Sequence, residues 1–143
     1  YTDDSAETII GLGASAIGRM PQGFIQNVVT TRDYLSRVAE GQLATAKGYA
    51  FTEEDRFRAD IIERIMCDLA VDLPKLAQLH GRDPAESAIL DRSRIESLIA
   101  DGAVTMFDDR LSVNDGAEFL VRSVASAFDA HLARSAATHS RAV

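Results

Sequence analysis

Cysteine is almost absent from these 143 residues: Cys67 stands alone. One thiol closes no internal disulfide, and it cannot build a Cys-rich zinc site or an iron–sulfur cluster. Positive charge is also short. Fifteen Lys and Arg face 22 Asp and Glu, a formal net charge of −7. Such a chain repels phosphate backbones, which argues against nucleic acid as a partner. Long apolar runs are missing too. The longest uncharged stretch, residues 20–31, holds Pro21, Gln22, Gly23, Gln26 and Asn27 and is too short and too polar to cross a bilayer, so no membrane partner is expected. No secretory signal, repeat or low-complexity segment stands out. What is present is ordinary for a soluble globular protein, 46% hydrophobic and 26% charged, and long enough for a sizeable core. The opening Tyr1-Thr2-Asp3-Asp4 has no Met and reads as a piece cut from a larger protein.

The chain changes character along its length. Thr8-Ile9-Ile10-Gly11-Leu12-Gly13 is an apolar run closed by glycines and predicts a buried strand. Small residues follow in Ala14-Ser15-Ala16-Ile17-Gly18, then a turn signal in Met20-Pro21-Gln22-Gly23. Residues 24–30 predict a second extended stretch, rich in β-branched side chains. Thr31 is placed to cap a helix over residues 32–40 that Gly41 stops, and residues 42–50 read as a linker. Thr52 and three acids open a strong helix with Phe57, Ile61, Ile65, Met66 and Leu69 on one face. Asp72-Leu73-Pro74 starts another helix, with Leu73, Leu76 and Leu79 inward and Gly81 as its stop.

Residues 93–100 then predict a helix, residues 103–106 and 111–113 a hairpin, and residues 116–134 a final helix capped by Asn114 or Asp115. Its apolar side would hold Phe119, Leu120, Val124, Ala127, Phe128 and Leu132. That order is the order of a small winged-helix-like module. Residues 135–143 predict a fraying tail.

Complete catalytic sets are not found. Gly11-Leu12-Gly13-Ala14-Ser15-Ala16 matches a loose dinucleotide pattern, but Pro21 and Gly23 interrupt the long helix such a site needs. Gly13-Ala14-Ser15-Ala16-Ile17 lacks the second glycine of a nucleophile elbow. His131 and His139 are too far apart in sequence to share a metal across one helical turn. Glu53, Glu54 and Asp55 are explained by the helix start they occupy. Cys67 reads as a small core residue. Arg92 and Arg94 share their helix with Glu96 and Asp101, a poor charge balance for reading DNA. By this pattern the chain is the last strand of a larger α/β domain followed by a winged-helix-like one.

Ile9-Ile10-Gly11-Leu12-Gly13-Ala14-Ser15-Ala16-Ile17-Gly18, followed by Phe24-Ile25-Gln26-Asn27, closely resembles the oxygen-independent coproporphyrinogen III oxidases, the HemN family of radical S-adenosylmethionine enzymes. The resemblance continues through Ala50-Phe51-Thr52-Glu53-Glu54-Asp55, Arg58-Ala59-Asp60-Ile61-Ile62 and Met66-Cys67-Asp68. It returns at Leu120-Val121-Arg122 and Phe128-Asp129-Ala130-His131-Leu132. Where the family commonly has Tyr-Ala-Gln-Asn, this chain has Phe24-Ile25-Gln26-Asn27.

The resemblance implies a mainly α, α+β chain. Residues 1–30 would be the last strand and loop of a (β/α) barrel, residues 31–50 a connecting helix and linker, residues 51–134 the helical, winged-helix-like C-terminal domain with a small hairpin, and residues 135–143 a flexible tail. It implies a cytoplasmic parent that turns two propionates of coproporphyrinogen III into vinyls, giving protoporphyrinogen IX in haem biosynthesis. S-adenosylmethionine and a 4Fe-4S cluster on a CxxxCxxC motif would serve it, with an electron donor such as flavodoxin or ferredoxin. That motif is absent here, so these residues alone would be inactive and would cover the active site. No metal ligand or catalytic residue is expected among them. Ile17, with Ala16 and Gly13, would contact S-adenosylmethionine. The alternatives are a haem chaperone of the sister group and a stand-alone winged-helix-like binding module.

Overall fold

The turn signal at residues 20–23 is used. In a computed structural model that describes residues 6, 8–85, 88, 89 and 91–132, Pro21 and Gln22 join β1 (Ile17–Met20) to β2 (Gly23–Asn27). The strands pair antiparallel, Ile17 opposite Gln26 and Met20 opposite Gly23. On its other edge β2 pairs with β3 (Thr45–Ala50), Phe24 opposite Tyr49 and Gln26 opposite Lys47. The linker expected over residues 42–50 is therefore largely a strand. Apart from Thr45 its residues are exposed, so the backbone ladder holds it and no apolar alternation marks it.

The buried strand expected at residues 8–13 does not form. Ile9 makes one bridge to Arg19, with both backbone bonds at 2.8 Å. Ile9, Ile10 and Leu12 are 47%, 67% and 83% exposed. Among the described residues no second strand lies along this run, so its apolar side chains stay uncovered. Between β2 and β3 stands α1 (Thr31–Ala39). Its cap is Thr30 rather than Thr31: the Thr30 hydroxyl accepts from the Asp33 N–H at 3.2 Å.

The chain divides after Glu53 into two compact units. The second is built on α2 (Glu53–Asp68), whose buried side is Phe57, Ile61 and Ile65 at i, i+4 and i+8. Leu69, at φ 57°, turns the chain into β4 (Ala70–Asp72), a strand too short to announce itself in sequence. Asp72 caps α3 (Leu73–Leu79) by accepting from the Lys75 N–H, as expected. Asp91 caps α4 (Arg92–Ala100). β5 (Val104–Phe107) and β6 (Arg110–Val113) form the expected hairpin, and the sheet runs β4-β6-β5. Asp108 and Asp109 turn it with φ of 52° and 55°, the pairing of a type I′ turn. Ile61, Ile65, Leu111 and Phe128 have no exposure at all, and each full burial is worth roughly 1.5–3 kcal/mol.

Four expectations fail in this unit. Leu79 is 68% exposed, because α3 turns Leu73, Leu76 and Ala77 inward. Cys67 is exposed, since it lies round the helix from the Phe57–Ile61–Ile65 side. The helix expected over residues 116–134 is broken into a single 3-10 turn (Glu118–Leu120) and α5 (Val121–Ser126). Asn114 caps neither: its amide donates to Gly102 O at 2.8 Å and accepts from the Thr105 hydroxyl at 2.8 Å. With six strands in two three-stranded sheets among the described residues, the chain is α+β rather than mainly α. No helix of the described residues is long and apolar enough to cross a membrane. The expected tail at residues 135–143, His139 and the Tyr1–Asp4 opening lie outside the described residues.

Candidate functional site

The glycine loop, residues 11–16, is held from beneath by the Gln26-Asn27 pair. Asn27 Nδ2 donates to the carbonyls of Gly11 and Gly13, each at 3.0 Å. The Asn27 N–H reaches Ala16 O at 3.0 Å, and Gln26 Nε2 reaches Ser15 O at 3.3 Å. From α1, the Tyr34 hydroxyl accepts from the Gly13 N–H at 3.0 Å. Ser15, at φ 60°, donates its N–H to Val28 O at 2.8 Å. A helix does not follow the glycines; β1 does, which removes the dinucleotide reading structurally as well.

Each glycine has an internal reason. A Cβ on Gly11 would sit 2.8 Å from the backbone carbonyl of Ile17. Gly13 has open space around it but a φ of +108°, a conformation side chains disfavour. Neither glycine needs a ligand to explain it.

Strand alternation then decides what the sheet presents. Ile17, Gln26 and Lys47 are in register across the three strands, and Arg19, Phe24 and Tyr49 form the adjacent row on the same face. Ile17, Phe24, Gln26, Lys47 and Tyr49 line an open cavity of about 460 Å³ together with Ile25 and Gly48. Ile17 is 60% exposed there, Phe24 43% and Tyr49 45%. Phe51 packs edge-on against Phe24, with ring centroids 4.7 Å apart. Of the three sequence-predicted site residues, Ile17 lines the cavity, Ala16 adjoins it in the loop, and Gly13 stays with the loop. Gln26, Lys47 and Tyr49 were not singled out by sequence as lining residues. The signal of Lys47 and Tyr49 is hidden because residues 42–50 carry no strand pattern, and Gln26 joins their row only through the β2–β3 register.

The second unit holds its charges in internal pairs. Glu54 pairs with Arg58 and Arg82, and the Arg82 guanidinium lies 4.6 Å over the Phe57 ring. Phe57 meets His80 edge-on, and His80 Nε2 is 3.1 Å from Asp60, which also pairs with Arg64. His131 Nε2 is 2.9 Å from Asp55. Arg94, on the helix a DNA reader would use, binds Asp91 and the Ser126 hydroxyl. Asp91 is held below its ordinary pKa by the Arg94 backbone N–H, the Ser93 hydroxyl and the Arg94 side chain, the signature of a cap. No group of three possible metal ligands occurs among the described residues.

Burial works to raise the Glu54 pKa, but the Arg58 charge and the hydrogen bonds from Arg82 and Arg58 outweigh it and hold the carboxyl below 4.5. A depressed folded pKa adds stability above the unfolded value, and that stability is lost as pH falls through the folded one. Glu54→Gln should therefore unfold at lower urea than the wild type at pH 7, and lose less further stability between about pH 5 and about pH 3. Urea titrations at each pH check this; an undiminished acid loss in the variant would assign the pH dependence to other groups.

No protein-family model matches the chain. Curated relatives do. An oxygen-independent coproporphyrinogen III oxidase of Bradyrhizobium diazoefficiens is 51% identical over all of this chain and 32% of its own length. The enzyme of the same name from Paracoccus denitrificans is 39% identical over all of this chain and 31% of its own length. Among solved structures, the coproporphyrinogen III oxidase HemN of Escherichia coli, a radical SAM enzyme, superposes with a TM-score of 0.81 at 26% identity. The match takes in 92% of this chain and 30% of that one. The chain is thus homologous throughout to oxygen-independent coproporphyrinogen III oxidases, and it spans about a third of the length of the relatives it matches.

Proposed function

We propose that this chain is the C-terminal part of an oxygen-independent coproporphyrinogen III oxidase, and that its first unit presents Ile17 to S-adenosylmethionine. The observation that carries the reading is the similarity of the whole of this chain to one third of enzymes of that name, joined to an exposed Ile17 at the edge of an apolar cavity. An apolar side chain on a rigid strand can lie against an adenine or ribose face. Ala16 adjoins it. Gly13 would act through loop shape, because its N–H and carbonyl are already bonded to Tyr34 and Asn27. The residues present therefore fit one apolar wall of a nucleoside site.

They do not fit the 4Fe-4S cluster, since the chain's single cysteine is one ligand at most. The cluster belongs to sequence beyond these residues. In the parent, bound S-adenosylmethionine and the reduced cluster would supply the radical chemistry for two oxidative decarboxylations of coproporphyrinogen III. The unit from Glu54 onward is proposed to help enclose the tetrapyrrole. The relatives' names favour the oxidase over the haem chaperone.

Anaerobic assay of the longer protein for conversion of coproporphyrinogen III to protoporphyrinogen IX tests the reading; no conversion would overturn it. In the same protein, Ile17→Asp puts an unpaired charge on the apolar wall. It should raise the Kd for S-adenosylmethionine about tenfold or more. Unchanged affinity by equilibrium dialysis would remove Ile17 from the cofactor site.

A further inference from the structure

We infer that Lys47 binds a carboxylate of the tetrapyrrole, a propionate other than the one reacting. The inference rests on the reading of this chain as part of the oxidase. Lys47 is one of only two lysines in the chain. It sits on the cavity side of β3, opposite Gln26, with Ile17 two strands away. Two strand spacings separate Ile17 and Lys47 by about 10 Å. Between them in the row stands Gln26, and beside that row lie Phe24 and Tyr49, with Phe51 packed on both rings and Arg19 at the β1 end. Among the described residues Lys47 carries no ion pair, whereas Arg58, Arg64, Arg82, Arg94 and Arg110 all have carboxylate partners.

A cation without an internal partner, at the rim of an apolar floor, suits a ligand that is flat and apolar in its middle and carboxylated at its edge. It does not suit a neutral ligand, which would leave the ammonium unanswered. S-adenosylmethionine also carries a carboxylate, so an unchanged Kd for it in Lys47→Ala is what assigns Lys47 to the tetrapyrrole. A Cβ at Gly48, next to Lys47, would meet only Phe24 O, at 3.8 Å.

In the longer protein, Lys47→Ala should raise KM for coproporphyrinogen III about tenfold or more, with kcat and the Kd for S-adenosylmethionine little changed. Lys47→Arg should restore most of the loss, because it keeps the charge. Lys75→Ala, the other lysine, should leave KM alone. The urea midpoint of Lys47→Ala should equal that of the wild type, since the side chain is exposed. An unchanged KM in an active enzyme, or an equal rise in Lys75→Ala, would overturn the inference while leaving the oxidase reading standing. Absence of decarboxylation in the wild type would instead overturn the oxidase reading, and fluorescence titration with coproporphyrin III would still read Lys47 directly: equal binding by wild type and Lys47→Ala overturns it.

Discussion

Phe128→Ala should destabilise the unit that begins at Glu54 by about 3–5 kcal/mol, while Phe119→Ala should cost less than about 0.5 kcal/mol. In sequence the two rings are equivalent, apolar residues on one side of one helix. In the structure the helix ends at Ser126, and the chain turns so that Ala127 and Phe128 drop fully into the core. Phe119, in the 3-10 turn before α5, is 80% exposed. Hydrogen bonds to backbone carbonyls fix the buried end. Arg58 donates from α2 to Phe128 O at 3.2 Å and to Ala88 O at 3.0 Å, and the Asp91 N–H reaches Ala127 O at 3.1 Å. Removing the ring leaves a void that these bonds prevent from collapsing. A domain's whole stability is of order 5–15 kcal/mol, so the variant should sit close to unfolding. Urea denaturation followed by circular dichroism compares the two changes. Equal losses would mean a continuous helix with both rings inward, contrary to the break at Ala127.

The same contrast explains which elements the sequence announced. α2 was legible because Phe57, Ile61 and Ile65 repeat at helical spacing over a long element, and tertiary burial agrees with that repeat. The β5–β6 turn was legible because paired aspartates tolerate the positive φ that a tight hairpin requires. β3 was not. Thr45-Ala46-Lys47-Gly48-Tyr49-Ala50 has weak strand propensity and buries almost nothing, so its pairing with β2 is a non-local fact. Half of the candidate site was hidden with it: Ile17 could be named by resemblance, whereas Lys47 and Tyr49 face the cavity only once β3 is paired. Asn27 shows the reverse case. In sequence it marks only a likeness, and in the structure its side chain bridges Gly11 and Gly13. Residues 8–13 stay uncovered because apolar content leads to burial only when something lies alongside, and among the described residues only the Ile9–Arg19 bridge does.

Gly23→Ala should cost the first unit about 3 kcal/mol, near the upper end for overpacking. A Cβ there would stand 1.9 Å from Tyr49 O and 2.9 Å from the carbonyl carbon of the same residue. Both are backbone atoms, so no side-chain rotation relieves the clash, and β2 must part from β3. Gly48→Ala, in the same sheet, meets only Phe24 O at 3.8 Å and should be nearly neutral. Hydrogen exchange of the residue 17–28 amides separates the two: strong loss of protection is expected for the first and almost none for the second. The functional consequence follows from register. Ile17, Gln26 and Lys47 form one row only while β1, β2 and β3 keep their pairing. Ile17→Asp should therefore weaken only the cofactor and Lys47→Ala only the substrate, whereas Gly23→Ala should weaken both together without touching either ligand. If Gly23→Ala leaves exchange unchanged, the β2–β3 pairing is not what holds the row. If it opens the sheet but spares both ligands, the cavity is not where they bind.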